Sequence, residues 1–286
     1  MKVVILGPTG VGKTKMSIEL AKWLDAWVIN CDAVQVYQEL NIGSAKVTEE
    51  EKEGINHYLF DLKSPKDEYT VKDYQKDVRD ILDNNKDRNL ILVGGTGLYA
   101  CAALYDYRFL EDIDSNDYDD LSNEELYQLA LAKDENCQID KNNRVRLLRF
   151  IKKSRNYVEP KLLYPDTIFI GLTTDRSNLY DIINKRVDKM IDTGLIKEVE
   201  ELYHKYPDSS ILKRAIGYKE IISYLKQEIS LEDAINLIKK NSRHYAKRQY
   251  TWFNNKMNIN WFNVNYDNFE LTIKEVENFI SSCQDN

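Results

Sequence analysis

The sequence lacks the clustered cysteines and histidines that mark disulfide-rich and metal-binding proteins. Its 4 cysteines show no C-x-x-C spacing, so we interpret them as reduced thiols rather than disulfide partners or zinc ligands (Cys31, Cys101, Cys137 and Cys283). The 3 histidines are also far apart in the chain, which gives a histidine-rich metal centre no support. Internal repeats and low-complexity tracts are absent as well.

Long apolar runs and a positive net charge are also missing. No run approaches membrane-spanning length and no signal peptide precedes the first predicted strand, so we expect a cytoplasmic protein with no membrane partner. The net charge of −7 excludes a global attraction to nucleic acid, so any polyanion site must be a local basic patch. The 286 residues suffice for a large core, and we expect a monomer.

The first chemical signal is a glycine-rich turn that follows a short apolar run. Residues 2–6 predict a strand buried on both faces, and GPTGVGKT at residues 7–14 fits G-x-x-x-x-G-K-[ST] at every fixed position. In this pattern backbone N–H groups surround phosphate oxygens, the lysine adds a charge, and the last hydroxyl can ligate Mg²⁺. We therefore predict a diphosphate- or nucleotide-binding loop, with Thr14 as the metal ligand and Mg²⁺ as the cofactor, made of Gly7, Pro8, Thr9, Gly10, Val11, Gly12, Lys13 and Thr14.

Strand and helix patterns alternate along the rest of the chain. Further strands are predicted at residues 26–29, 57–62, 90–93, 166–172 and 259–262. The acid-rich stretch at residues 111–125 indicates a boundary, and two helical segments follow it. The expected fold is α/β, a P-loop NTPase-like parallel sheet core flanked by helices (residues 1–114 and 165–286), with a helical insertion domain at residues 115–164.

Polar residues follow two of the predicted strands at their carboxyl ends. Because ligand groups come from that edge of an open α/β sheet, Asp32 and Gln35 would lie beside the phosphate loop. From the pattern, Asp32 is equally a helix cap or a catalytic group. Thr96 stands in a second glycine turn and offers a hydroxyl to the cleft, although it too could be a cap.

Basic residues are concentrated in two helical segments. Residues 141–154 interleave arginines with apolar residues, and residues 239–256 contain no acidic residue but several aromatic ones. Basic residues mixed with aromatics suit phosphate contacts and base stacking. The first segment could equally be a solvated charged face. The second could be an amphipathic helix that packs its rings inward, which is the commoner arrangement.

Signals of the common nucleotide-hydrolysing classes are missing. Gly94 stands where the strand at residues 90–93 would be followed by a Walker-B acid, and NKDR at residues 85–88 does not match the guanine-reading N-K-x-D. A signalling GTPase and a motor ATPase are therefore disfavoured. A small-molecule kinase remains open, and so does an enzyme in which the loop binds an allylic diphosphate as a leaving group.

Taken in order, these segments resemble those of bacterial tRNA dimethylallyltransferases. The matches are residues 7–14, DAVQVY at 32–37, NIGSAK at 41–46, GGTGLY at 94–99, AIGYKE at 215–220 and YAKRQYTW at 245–252. The resemblance implies transfer of a dimethylallyl group from dimethylallyl diphosphate to the N6 amine of the adenosine 3′ to the anticodon in tRNA, releasing diphosphate. The implied partners are dimethylallyl diphosphate and the tRNA anticodon stem-loop.

The resemblance also implies roles for individual residues. Asp32 would be the general base, Thr96 would help to hold the amine, and Lys13, Thr14 and Arg214 would hold the diphosphate. The residues that would contact tRNA are Asp32, Ala33, Val34, Gln35, Val145, Arg146, Arg149, Lys247, Arg248, Gln249 and Trp252. The sequence departs from the family at Ala33, where serine is usual, at Ser44, where threonine is commoner, and in its shorter insertion.

Other functions remain open at this stage. They are a P-loop kinase for a small molecule, a prenyltransferase acting on free adenine nucleotides, and a nucleotide-gated RNA-binding factor without group transfer. The loop pattern does not decide between ATP and an allylic diphosphate as its ligand.

Overall fold

The computed structural model describes residues 1–109, 114, 116–153 and 160–284, and its centre is a six-stranded sheet. Neighbouring strands are parallel and lie in the order β3-β2-β4-β1-β5-β6. The strands are β1 (Lys2–Leu6), β2 (Ala26–Asn30), β3 (His57–Tyr58), β4 (Asn89–Gly94), β5 (Thr167–Thr173) and β6 (Asn260–Asn263). The predicted parallel α/β core is confirmed.

The apolar run of β1 is continuous because helices cover both faces of the sheet. Successive side chains of a strand point to opposite faces. Val4 and Leu6 accordingly belong to one buried cluster, whereas Val3 and Ile5 belong to another. A strand buried on both faces needs apolar residues at every position, and this explains why β1 shows no polar alternation.

Helices connect the strands and cover the sheet. They are α1 (Lys13–Leu24), α2 (Val71–Asn84), α3 (Gly97–Leu104), α4 (Asn123–Lys133), α5 (Arg144–Lys152), α6 (Arg176–Asp192), α7 (Leu195–Lys205), α8 (Ser210–Arg214), α9 (Tyr218–Leu225), α10 (Leu231–Lys256) and α11 (Phe269–Gln284). Across the described ranges, none of the helices combines the length and the apolar character needed to cross a membrane.

The chain divides into two compact units. The first comprises Met1–Tyr105 with Leu162–Asn286, and the second comprises Asp106–Lys161. The bounds predicted for the insertion, residues 115–164, differ from these because an antiparallel bridge between Tyr105 and Leu162 keeps both residues in the first unit. The predicted boundary at residue 115, residues 111–113 of the acid-rich stretch and residue 154 of the first basic segment lie outside the described residues.

The second unit has a small core of its own. Its helices α4 and α5 bury Leu126, Ala130, Leu147 and Ile151 against one another. A capping box at Ser122, with Glu125 bonded back to the Ser122 N–H, begins α4.

The third strand is shorter than predicted. The pattern indicated a strand over residues 57–62, but pairing stops after Tyr58. Leu59 and Asp61 have φ values of 63° and 51°, and this left-handed conformation cannot continue a strand. The spacing of Thr70 and Asp73 in the sequence predicts a capping box for α2, and the structure confirms it, since the side chain of each accepts the other's backbone N–H.

A carboxylate on α7 holds the loop that follows the Asp32 segment. Glu198 accepts hydrogen bonds from the N–H groups of Asn41 (3.2 Å), Ile42 (2.7 Å) and Gly43 (3.0 Å), and also from the Tyr218 hydroxyl (2.8 Å). Further along this loop, the carbonyls of residues 44 and 45 accept hydrogen bonds from the side-chain amide of Gln35. Glu198 therefore stabilises the loop whose carbonyl groups hold the Gln35 side chain in place.

We expect Glu198→Ala to lower the free energy of unfolding by about 3 kcal/mol, because hydrogen bonds to a charged acceptor contribute more than neutral ones. Urea denaturation measures the loss. The matched control is Glu200→Ala on the same helix, where the side chain is exposed and the change should stay within about 0.5 kcal/mol. Equal losses in the two variants would contradict this role of Glu198.

Candidate active site

The predicted phosphate loop connects β1 to α1 with a backbone open towards an anion. Gly10 and Gly12 have φ values of 87° and 97°, in the left-handed region where glycine carries no steric penalty. Helix α1 begins at Lys13 with neither a side-chain cap nor an acidic residue in its first turn. Its first N–H groups thus remain available to an external anion, as in other phosphate sites at helix N-termini.

Lys13 carries a buried ammonium group in this loop. Its Nζ donates a hydrogen bond to the Pro8 carbonyl at 2.8 Å. Burial, and next the positive charge of Arg186, lower the pKa of Lys13 to about 8, while the charge of Asp32 opposes the shift. A bound phosphate group would stabilise the protonated form of Lys13, because it supplies the negative charge that the buried cation lacks.

The sequence interpretation missed Arg186. Helix α6 packs on the phosphate loop, so that a Cβ atom built on Gly10 would lie 3.4 Å from Ile182 and 3.6 Å from Ile183. Burial lowers the pKa of Arg186, and the charge of Asp32 opposes the shift. The guanidinium has no hydrogen bond or ion pair to any residue that the structure describes. The sequence signal that could have identified Arg186 is its position next to Val187, among the apolar residues that α6 buries.

Asp32 follows β2 and is held on both sides of its backbone. The Asn30 side chain accepts from the Asp32 N–H at 2.9 Å and donates to the Asp32 carbonyl at 3.0 Å. One carboxylate oxygen of Asp32, Oδ1, accepts from the Val34 N–H at 2.9 Å. Its other oxygen has no hydrogen-bond partner in the described ranges. The carboxylate thus makes a local turn contact and still has an oxygen that can accept a proton.

The side chain of Thr96 bonds to the Asp32 segment rather than to its own helix. It occupies the N-cap position of α3, yet its side chain makes no capping bond. Its hydroxyl instead accepts from the Ala33 N–H at 3.2 Å, and its N–H donates to the Cys31 carbonyl at 3.2 Å. The two predicted catalytic residues, Asp32 and Thr96, are therefore brought together at the carboxyl edge of the sheet.

Tyr245 of α10 is a further group at this edge. It lies near enough to Thr96 and Asp32 for both residues to act on its pKa. Burial, and then the negative charge of Asp32, raise the pKa of Tyr245, so the phenol keeps its proton. The sequence marked Tyr245 only as one aromatic residue of a basic helix.

The predicted tRNA-contacting residues of α10 fall on different sides of that helix. Lys247 and Arg248 are exposed, whereas Gln249 is buried and Trp252 is half-buried. The Trp252 ring packs so closely on the second glycine turn that a Cβ built on Gly97 would lie 2.1 Å from it. The helix thus presents basic groups to solvent and packs other residues against the loops of the site.

The remaining predicted site residues lie on other elements. Arg214, at the end of α8, is exposed, and its charge acts on Tyr37. Ala33, Val34 and Gln35 are half-buried after β2. In the second unit the exposed residues of α5 are Val145, Arg146 and Arg149. The roles of all these residues stay predictions.

A metal ion would need oxygens from a ligand as well as from the protein. No group of three or more histidine, cysteine, aspartate or glutamate residues suited to a metal is present within the described ranges. Thr14 is exposed, and its hydroxyl makes no hydrogen bond to any residue that the structure describes. It fits the usual phosphate-loop arrangement, in which one hydroxyl and the phosphate oxygens share Mg²⁺.

The parallel sheet, the glycine loop at its carboxyl edge and the cations Lys13 and Arg186 define a protein of P-loop-like fold whose loop is suited to phosphate groups. A family model described as IPP transferase matches residues 35–256. The chain belongs to the IPP transferase family, as its sequence predicted.

Individual relatives agree with this assignment. The tRNA dimethylallyltransferase of Fusobacterium nucleatum is 47% identical, with 92% of this chain and 91% of that protein covered. The enzyme of the same name from Macrococcus caseolyticus is 41% identical, with 96% and 93% covered.

Solved structures show the same fold. The tRNA isopentenylpyrophosphate transferase of Bacillus halodurans is 38% identical with a TM-score of 0.77, covering 99% of this chain and 96% of that one. A eukaryotic dimethylallyltransferase described as acting on tRNA is 25% identical with a TM-score of 0.80, covering 98% and 80%.

We expect the affinity for a diphosphate ligand to fall as the pH rises through about 8, because Lys13 then loses its proton. Isothermal titration calorimetry with inorganic diphosphate measures this dependence and the accompanying proton uptake. Lys13→Met is the control, since ionisation of the ligand itself remains in both proteins. Well below that pKa the two pH profiles should run parallel, with a constant loss of affinity in the variant. Above it the wild-type affinity should fall towards that of the variant, and profiles that stay parallel at every pH would contradict the prediction.

Proposed function

We propose that the protein transfers a dimethylallyl group from dimethylallyl diphosphate to the N6 amine of the adenosine 3′ to the anticodon in tRNA. The proposal depends on one observation above all, the convergence of Asp32 and Thr96 beside a buried cationic phosphate loop. The relatives named tRNA dimethylallyltransferase support dimethylallyl as the transferred group and tRNA as the acceptor.

The acceptor needs a base because its nitrogen lone pair is delocalised into the adenine ring. In the proposed step this nitrogen forms a bond to the first carbon of the dimethylallyl group, and the carbon–oxygen bond to diphosphate breaks. The electron pair of that bond leaves with the diphosphate. Asp32 accepts the proton of the amine through its free carboxylate oxygen. Thr96, held by the Ala33 N–H, orients the amine.

The departing diphosphate gains negative charge, which the phosphate loop is suited to stabilise. Backbone N–H groups of residues 10–14, the Lys13 ammonium and the Arg186 guanidinium surround the position proposed for it. Thr14 would hold Mg²⁺, which supplies further positive charge to the diphosphate oxygens. Arg186 suits this position better than Arg214, because its charge acts directly on Lys13.

The tRNA would approach over the exposed basic side chains of α10. A base in a stacked loop must leave its stack to reach a cleft, as for other enzymes that modify bases. Lys247 and Arg248 are exposed for phosphate contacts on the same helix whose other side meets the glycine turns. One chain carries the loop, the base and this surface, and we propose a monomer that acts in the cytoplasm.

The decisive experiment incubates the purified protein with unmodified tRNA, dimethylallyl diphosphate and Mg²⁺, followed by mass analysis of the nucleosides. We expect N6-dimethylallyl adenosine, and its loss when Mg²⁺ is chelated. Parallel reactions with AMP as acceptor and with ATP as phosphate donor test the alternatives. Phosphate transfer without prenylated adenosine would show a kinase, and prenylation of AMP alone would exclude tRNA as the acceptor.

We expect Asp32→Asn to lower kcat about 10²-fold while tRNA binding is kept, because the amide keeps the contact to the Val34 N–H but is not a base. Single-turnover kinetics and filter binding measure the two effects. Asp25→Asn makes the same chemical change at a fully exposed position, where no loss is expected. Unchanged turnover in the Asp32 variant would contradict the role of general base and would show that the carboxylate serves only to accept from the Val34 N–H.

We expect tRNA affinity to fall with salt, and the double variant Lys247→Ala/Arg248→Ala to reduce the slope of log K against log salt. Each lost contact should change that slope by about 0.7 to 0.9. Lys72→Ala, which removes a charge from an exposed position on α2, is the control. Identical slopes in the wild type and the double variant would exclude phosphate contacts by these residues.

A further inference from the structure

The side chain of Gln249 joins the phosphate loop to the second glycine turn. Its Oε1 accepts from the Thr9 N–H at 3.0 Å, and its Nε2 donates to the Gly95 carbonyl at 2.9 Å. The residue is only 5% exposed. A single amide thus bonds to the backbone of both loops.

The orientation of this amide follows from its partners. Thr9 offers an N–H donor and Gly95 offers a carbonyl acceptor. A flipped amide would therefore place its NH2 against the Thr9 N–H and its oxygen against the Gly95 carbonyl, and neither hydrogen bond could form. The fit is also close, because a Cβ built on Gly95 would lie 2.2 Å from the Gln249 nitrogen. Neither a shorter nor an apolar side chain could satisfy both backbone groups from this position.

Both partners of Gln249 belong to the reacting site. Thr9 lies in the loop proposed to bind the diphosphate. Gly95 precedes Thr96, and the backbone here packs on the Asp32 segment, since a Cβ built on Gly94 would lie 2.0 Å from the Cys31 carbonyl oxygen. The amide therefore links the part of the site that would bind the leaving group to the part that would bind the acceptor.

We propose that Gln249 is a positioning residue that sets the separation between the phosphate loop and the Asp32–Thr96 pair, and that it does not contact tRNA. The inference rests on the proposed function. Group transfer requires the attacking nitrogen and the allylic carbon to approach within about 3 to 3.5 Å, so a small shift between the two loops lowers the rate strongly.

The first test is Gln249→Met, which keeps the length of the side chain and removes both hydrogen bonds. We expect kcat to fall about 10- to 100-fold, while the tRNA dissociation constant and its salt slope stay within about 2-fold of the wild type. Lys247→Ala, two positions earlier on the exposed side of the helix, should instead weaken tRNA binding and reduce the salt slope.

The second test is Gln249→Glu, which has nearly the same shape. An ionised carboxylate accepts from the Thr9 N–H but cannot donate to the Gly95 carbonyl, whereas a protonated carboxyl can do both. We therefore expect the ratio of variant kcat to wild-type kcat to rise as the pH is lowered from about 8 to about 6, where a buried carboxyl takes up its proton. A residue needed only for folding or tRNA contact would give a constant ratio.

The outcomes separate this inference from the proposed function. If the wild type forms no prenylated tRNA in the same assay, the proposed function fails. If the wild type is active, weaker tRNA binding with unchanged kcat in Gln249→Met would overturn the positioning role. Should Gln249→Met fail to fold, as judged by circular dichroism, the pH ratio of Gln249→Glu decides, and a constant ratio overturns the inference.

Discussion

Burial of the Lys13 ammonium group and the positive charge of Arg186 both lower the pKa of Lys13. Burial of a charge is unfavourable unless a partner of opposite sign is near, and Asp32 only partly offsets the two cations. The free N–H groups at the start of α1 add positive potential to the same position. This concentration of positive charge makes the loop suited to an anion with several oxygens.

The other half of the site depends on hydrogen bonds from side chains to main-chain atoms, most of which join segments distant in sequence. Asn30 holds both sides of the Asp32 peptide, Ala33 bonds to Thr96, and Gln249 bonds to Thr9 and Gly95. Close approach of these backbones requires glycine at positions 94 and 95, where a Cβ would collide with Cys31 and Gln249. Because the bonds go to main-chain atoms, they restrict whole loops and not single side chains.

Helix α10 connects this interior to the surface. Gln249 and Trp252 pack against the glycine turns, while Lys247 and Arg248 remain exposed. Neighbouring helical residues are about 100° apart around the axis, so a short basic segment necessarily spreads over more than one side. The sequence interpretation grouped Lys247, Arg248 and Gln249 as one tRNA-contacting segment, and the structure gives them different surroundings.

The sequence by itself determined the phosphate loop, the buried strand β1 and the capping box of α2, because each depends on residues close together in the chain. The glycine spacing and the apolar run of β1 specify local backbone geometry and burial directly. Only the tertiary structure decided that α6 places Arg186 beside Lys13, that Thr96 bonds to Ala33 instead of capping α3, and that Gln249 is buried. These contacts join residues far apart in sequence, and packing of the helices on the sheet alone selects which side chains meet.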